Sequence, residues 1–210
     1  MSKISPLAFI DPEAKIGENC EIGPFCFIDK NVEIGDNNVL MNSVSVLYGA
    51  RIGNGNVIFP GAVISAVPQD LKFRGEETTA EVGDNNKIRE NVTINRGTAA
   101  KGKTCVGSGN LLMESVHVAH DAFVGNDCII GNGTKLAGEI IIDDHAIISA
   151  NVLMHQFCRV GGYTMVGGGT RFSQDIPPYT ICAREPVAYC GLNLVGLRRR
   201  GFSNELRHRP

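Results

Sequence analysis

KIGENCEIGPFCFIDKNVEIGDNNVL, residues 15–40, repeats itself every six residues. Ile16, Ile22, Ile28, Ile34 and Leu40 keep one phase, and Ala14, Cys20, Cys26 and Val32 stand two places before the first four of them. The phase extends back through Ile10 to Ile4 and forward through Val46, Ile52, Ile58 and Ile64. It resumes at Val82 and, with a gap at Ala100, runs on to Phe172. Of the 29 positions from 4 to 172 in this phase, 24 are Ile, Leu or Val, which rules out a chance alignment.

A period of six is neither the 3.6 of a helix nor the 2 of a strand alone. It fits a short strand plus a turn, with one large aliphatic pointing inward per unit. Three units close a triangular coil of 18 residues, and stacked coils pair through parallel ladders. At roughly 4.8 Å per coil, about nine coils make a prism on the order of 40 Å long. Glycine follows the aliphatic at ten positions, Gly17, Gly23, Gly35, Gly125 and Gly167 among them, which reads as a demand for permissive backbone angles in tight turns. Cys20, Cys26, Cys128 and Cys158 fall in the small-residue column and read as packing residues.

The bulk numbers agree with a soluble, all-β domain. The chain has 210 residues, 25 glycines, 6% aromatics and no tryptophan, and its net charge is −2. Nothing in that balance points to nucleic acid. The N-terminal residues carry no long apolar run and no signal-peptide pattern, so neither a membrane span nor a leader is expected. The seven cysteines are odd in number and form no C-x-x-C pair, which fits a reducing, cytoplasmic compartment. Arg198, Arg199 and Arg200, followed by Arg207 and Arg209, read either as a solvated face or as a phosphate site.

The repeat breaks twice, at about 66–80, where Asp70 and Glu76 replace the aliphatic, and at about 95–104. Both read as loop excursions, the usual carriers of function on a solenoid. After Phe172 the pattern fails at Asp175-Ile176-Pro177-Pro178. The chain therefore divides into a coil, 1–178, and a C-terminal extension, 179–210, in which Ser203 to Arg209 reads as the start of a helix with Ser203 as N-cap.

The histidines number five, and two of them, His117 and His120, stand in SVHVAHD beside Asp121. With residues 18 apart stacked, His120, Gly138, Gln156 and Gln174 share one edge. A base, an approachable backbone N–H and an amide then line up within about 10 Å, two coil steps. That arrangement suits acyl transfer: the imidazole deprotonates an alcohol and the amide receives the developing oxyanion. Cys105 and Ser115 lie near in sequence but have no motif around them, so direct attack by a substrate hydroxyl is expected rather than a covalent intermediate. His145, in a DDHA turn, reads as solvated, and His208 lies in the tail.

IGPFC at 22–26, QDLK at 69–72, IRENVTINRGT at 88–98, HVAHD at 117–121, HQF at 155–157, MVGGG at 165–169, DIPPY at 175–179 and GLRRRGFS at 196–203 go beyond a generic hexapeptide repeat. By this set the chain, from its N-terminus to about residue 205, resembles the bacterial acyl-(acyl-carrier-protein)–UDP-N-acetylglucosamine O-acyltransferases of lipid A synthesis. The resemblance implies a left-handed parallel β-helix, although physics alone favours right-handed crossovers. It implies transfer of a long (R)-3-hydroxyacyl chain from acyl carrier protein to the 3-hydroxyl of UDP-N-acetylglucosamine by a homotrimer, with active sites in clefts between prisms and with no cofactor and no metal. His120 would be the general base, Asp121 its orienting acid and Gly138 the oxyanion donor. Gln69, Asp70, Lys72, His117 and Gln156 would contact the sugar or the acyl group. His155, Asn193, Arg199 and Arg200 would face the nucleotide, and Gly168 would leave the acyl groove long.

Two departures qualify the resemblance. Glu139 stands where the family carries a histidine, and it reads instead as an acid able to tune His120. The family also continues into a C-terminal helical region that starts near the end of this sequence, and its loss would weaken nucleotide and carrier-protein binding. Three other readings share the coil. The N-acyltransferase of the same pathway carries an extra N-terminal domain, whereas this repeat starts at Ile4. A γ-class carbonic anhydrase would use histidines for zinc. A non-catalytic β-helix of the ice-binding kind would show a threonine ladder, which is not seen.

Overall fold

The computed structural model describes residues 1–205. It is a left-handed parallel β-helix of triangular section, whose three faces are sheets of 11, 9 and 8 strands among the described residues. Most strands are only two residues long, such as Lys3–Ile4 and Phe27–Ile28. The step between coils is the expected one: Lys3 pairs with Glu21, and Leu111 pairs with Ile129. The aliphatic and the residue two before it both point inward, so Ile28, Cys26, Ile130 and Cys128 are all at most 1% exposed. A side chain of this size stabilises the fold by about 1.5–3 kcal/mol when fully buried. Burial of this kind recurs in every coil above the first, whose Ile4 remains 47% exposed.

Glycine has a different job from the one the repeat suggested. Gly17, Gly35 and Gly125 do not take positive φ. A Cβ on Gly17 would instead lie 2.3 Å from Asp36 Oδ1 and 2.6 Å from the carbonyl carbon of Gly35 in the next coil. These glycines permit close approach of one coil to the next. The left-handed backbone falls three residues after most of the aliphatics, as at Asn19, Asn31, Asn37, Asn85, Asn91, Asp127 and Asn151, with φ between 53° and 58°. Asn and Asp tolerate that region because their short side chains bond locally.

One corner carries a polar seam inside the core. Asn38, Asn56, Asn86 and Asn110 are at most 2% exposed and stack one above the other. Asn56 and Asn86 each donate Nδ2 to the Oδ1 below, at 3.0 Å. The Oδ1 of each ladder member also accepts the backbone N–H of the residue above, as Asn86 Oδ1 does from Asn110 N at 2.8 Å. The seam thereby satisfies corner amides that no strand partner reaches.

The two excursions both leave the corner between the second and third faces. They lengthen one coil step to 30 residues, from Ile58 to Ile88, and the next to 24, from Ile88 to Leu112. Their limits are tighter than the sequence implied. Ala66, Thr79, Ala80, Asn95, Lys103 and Thr104 all lie in strands, which leaves loops of 67–78 and 96–102. The parallel ladder also continues past residue 178: Thr180–Ala183 pairs with Met165–Val166 before the chain reverses into Ala188–Leu192.

A short helix, Leu194–Arg199, follows, capped by Asn193 Oδ1, which accepts from Gly196 N. The repeat gave no sign of it. Asn204 and Glu205 are helical after Ser203, but the rest of the helix expected at 203–209, with Arg207, His208 and Arg209, lies outside the described residues. No helix among the described residues is long and apolar enough to cross a membrane.

The asparagine seam makes a direct prediction. Asn86→Leu takes a donor from the Oδ1 of Asn56 and strands the N–H of Asn110 in the core, at about 1–3 kcal/mol for a buried group left unpaired. Chemical denaturation should show that loss; a variant as stable as the parent would mean that the seam contributes nothing.

Candidate active site

His120 and Asp121 occupy the turn that follows the strand His117–Val118. Asp121 is the third residue after the buried Val118 and takes φ of 60°, the left-handed position that asparagine fills elsewhere. Thr98, in the 96–102 loop, covers its carboxylate. Asp121 is 1% exposed, yet its charge is well met. Oδ1 accepts from the backbone N of Thr98 at 2.9 Å, and Oδ2 accepts from Thr98 Oγ1 at 2.6 Å. Oδ2 also lies 2.8 Å from His120 Nδ1. The backbone N of Asp121 donates to Thr104 Oγ1 at 2.8 Å. An ionised acid beside Nδ1 holds the proton there and leaves Nε2 as the free base. Thr98 lies in the second excursion and Thr104 in the strand that follows it, so that loop serves as the seat of the acid. Their spacing in the sequence carries no sign of this.

Gly138 lies one coil above His120. A Cβ on it would stand 2.6 Å from His120 Cε1 and 2.7 Å from Nε2, so any larger residue would push the imidazole out of this place. Glu139 N donates to His120 O at 3.0 Å and closes the stack. The carboxylate of Glu139 turns to Lys101, 3.8 Å away, rather than to His120, which corrects the expectation that it tunes the imidazole. On the other side of the ring Asp70 Oδ2 comes within 4.0 Å of Nε2. Asp70 also organises its own loop, accepting from Lys72 N at 2.9 Å through Oδ1 and from Phe73 N at 3.1 Å through its carbonyl. Gln69 and Lys72 are both exposed on the same loop.

His117 faces outward on the adjoining strand, with Nδ1 2.7 Å from Thr93 Oγ1. Burial, then the charge of Lys135, then His120 push its pKa below the ordinary 6.5. His155 and Gln156 are exposed on the same corner as His120, and His155 Nδ1 donates to Gln156 O at 3.2 Å. The sequence therefore read the edge His120, Gly138, Gln156 correctly.

The remaining candidates lie on other corners. Gly168 is exposed at the corner between the first and second faces. Arg199 and Arg200 sit at the end of the short helix, beside the corner between the third and first faces, where Arg200 Nη2 donates to Asp127 O at 3.1 Å. Asn193 is 4% exposed, and its amide caps the helix and donates to Tyr163 O at 2.9 Å. His145 is likewise not a solvated side chain. Its ring packs on Tyr163 at 4.6 Å between centroids, and Nδ1 lies 3.6 Å from Asp127 Oδ2. Tyr163 continues to Tyr179 and Phe202, so an aromatic stack anchors the extension on that corner. The 18-residue spacing of Asp127, His145 and Tyr163 was the signal for it.

The two nucleophile candidates are poor ones. Burial, then Glu81, raises the Cys105 thiol pKa, and Ser115 Oγ donates to Glu114 Oε1. Among the described residues no group of three or more His, Cys, Asp and Glu is placed to hold a metal ion.

Residues 175–209 match the family model of UDP-N-acetylglucosamine O-acyltransferase, domain 2. Among solved structures, the chain is similar to a UDP-N-acetylglucosamine acyltransferase from Bacteroides fragilis at 74% identity and a TM-score of 0.95, over 97% of this chain and 80% of that one. The enzyme of the same description from Francisella novicida is 43% identical, with a TM-score of 0.95 over 96% of this chain and 75% of its own. The Arabidopsis enzyme is 34% identical, with a TM-score of 0.84 over 96% and 78%.

The His117 environment can be tested by NMR titration. Its midpoint should fall below 6.5 and rise when Lys135→Gln removes the neighbouring charge. Since the folded pKa lies below the unfolded one, the unfolded chain binds more protons between the two values, and stability falls as pH drops through that window. A midpoint at or above 6.5 would contradict the burial.

Proposed function

The chain belongs to the UDP-N-acetylglucosamine O-acyltransferase family, the acyltransferases of lipid A synthesis, and we propose on that footing that His120 is the base in its transfer reaction. The observation that carries the reading is the stack of Asp121, His120 and Gly138. The donor is a long (R)-3-hydroxyacyl thioester on acyl carrier protein, and the acceptor is the sugar 3-hydroxyl. His120 Nε2 takes the hydroxyl proton as the oxygen attacks the thioester carbonyl. Negative charge moves to the carbonyl oxygen, where the Gly138 N–H receives it. The intermediate collapses, the C–S bond breaks, and the thiolate takes the proton back from His120.

A positioned base is worth about 10²–10⁴-fold in rate, and one oxyanion donor about 2.7–4 kcal/mol. Asp70, 4.0 Å from Nε2, stands where it can accept from a neighbouring substrate hydroxyl. Gln69, Lys72, His117 and Gln156 border the same edge and contact sugar or acyl chain. His155, Arg199 and Arg200 meet the nucleotide, with guanidinium forks suited to phosphate. The open surface at Gly168 accommodates a long acyl chain. By role the chain divides into a prism that performs transfer and a C-terminal extension that recognises the acceptor. Seven free cysteines support a cytoplasmic setting.

A homotrimer completes the site. Arg199 and Arg200 lie on one corner and His120 on another, so the arginines of one copy serve the base of its neighbour. Purified protein with 3-hydroxyacyl carrier protein and UDP-N-acetylglucosamine should form the acylated sugar nucleotide, and His120→Ala should reduce the rate by a factor on the order of 10²–10⁴. Equal turnover in both would remove His120 from the chemistry. The assembly has its own test. Co-expressed His120→Ala and Arg199→Ala/Arg200→Ala chains, each nearly inactive alone, should recover part of the activity when mixed trimers form. No recovery would place both groups in one chain's site.

A further inference from the structure

Arg96 carries a charge without an acid. Among the described residues its guanidinium takes part in no hydrogen bond or ion pair, and its buried Nε has no acceptor. Two rings hold it instead. Its central carbon lies 5.6 Å from the ring centroid of Tyr48, on the prism, and 5.2 Å from that of Phe73, in the 67–78 loop. The guanidinium therefore joins the loop to the prism through ring faces, which suits a flat, weakly hydrated cation better than an ammonium group.

The loop is tied at its ends. Arg96 N donates to Ala66 O at 2.9 Å, Asn95 Nδ2 donates to Val67 O at 2.8 Å, and Thr78 Oγ1 donates to Gly97 O at 2.6 Å. Its middle is tied by Phe73, and Phe73 N is bonded to Asp70 O at 3.1 Å. Asp70 in turn lies 4.0 Å from His120 Nε2. We infer that Arg96 is a positioning residue for the transfer reaction: through Phe73 it holds the loop in the place where Asp70 meets His120. This rests on the reading of His120 as the base.

The charges around His120 give the test its sign. Asp121 lies against Nδ1 and Asp70 faces Nε2. His117 stands on the adjoining strand, Glu139 is paired with Lys101 in the coil above, and Arg96 lies in the coil below. Removing Arg96 as a mere nearby cation raises the titration midpoint of His120. Releasing the Asp70 carboxylate from the imidazole lowers it.

The experiment measures the His120 midpoint by NMR on ¹³C-histidine-labelled protein, for wild type, Asp70→Asn, Phe73→Leu, Arg96→Gln and each of the last two combined with Asp70→Asn. Acceptor kcat/KM is measured alongside. Phe73→Leu removes the ring without altering any charge, and its circular dichroism should match wild type. Both Phe73→Leu and Arg96→Gln should lower the midpoint by a few tenths of a pH unit, in the direction of Asp70→Asn. Both should cost about tenfold or more in kcat/KM, as misplaced groups do. Neither should add to the effect of Asp70→Asn.

A raised midpoint in Arg96→Gln with no change in Phe73→Leu, or effects that add to those of Asp70→Asn, would overturn the inference. Failure of the wild type to acylate UDP-N-acetylglucosamine would sink the functional reading alone, because the titration decides the part played by Arg96 without turnover.

Discussion

Everything in this molecule hangs on the hydrogen bond from one coil to the next. Ala119 N donates to Leu136 O at 3.0 Å and Phe123 N to Ile140 O at 2.8 Å, and the same bond recurs along the three faces. A two-residue strand has almost no stability of its own. It persists because the coil above and the coil below satisfy its polar groups and because its inward aliphatic meets other apolar side chains, as Val118 meets Ile94 and Leu136. Stability is therefore a property of the stack, close to a sum of coil and interface terms. The register of that stack is what gives function its coordinates: it sets Gly138 over His120.

The register also explains how a buried carboxylate is tolerated. An ionised acid with so little contact with water is costly unless its oxygens are bonded. Asp121 has four demands on it: the Thr98 amide, the Thr98 hydroxyl, the His120 ring and its own amide, which Thr104 accepts. The 96–102 loop supplies the first two. The loop interrupts the repeat where the repeat would otherwise leave the acid unpaired. Both excursions leave one corner, and the ladders on either side close over them with a single register shift, between Ile64 and Ala66.

The coil, its 18-residue step and the edge that carries His120, Gly138 and Gln156 were legible in the sequence because each follows from strict periodicity. What periodicity does not encode was missed or misplaced. The glycines after each aliphatic read as turn residues, but their constraint is the distance to the next coil, which needs a stacking distance as well as a period. Thr98 lies off the repeat, so nothing marked it as a partner for Asp121. The burial of Asn193 as a helix cap went unread because a six-residue helix is too short to show a pattern. His145 read as solvated because a turn is usually exposed, and only the stacked Tyr163 and the returning chain cover it.

A triangular prism is convex, and this shape limits what one copy can do. Ligand pockets bury most of a small molecule's surface, and flat faces of short strands cannot. The chain answers in part with its 67–78 loop, which rises beside His120 and makes one wall. Leu153 and Phe157, 47% and 65% exposed, present apolar surface on the same side of the prism as His120. The arginines suited to phosphate sit a full corner away. His120, Arg199 with Arg200, and Gly168 stand on three different corners of this convex solid. Under the homotrimer proposed above, those corners meet between copies, and assembly belongs to the catalytic geometry rather than to stability alone, since the prism already satisfies its own core.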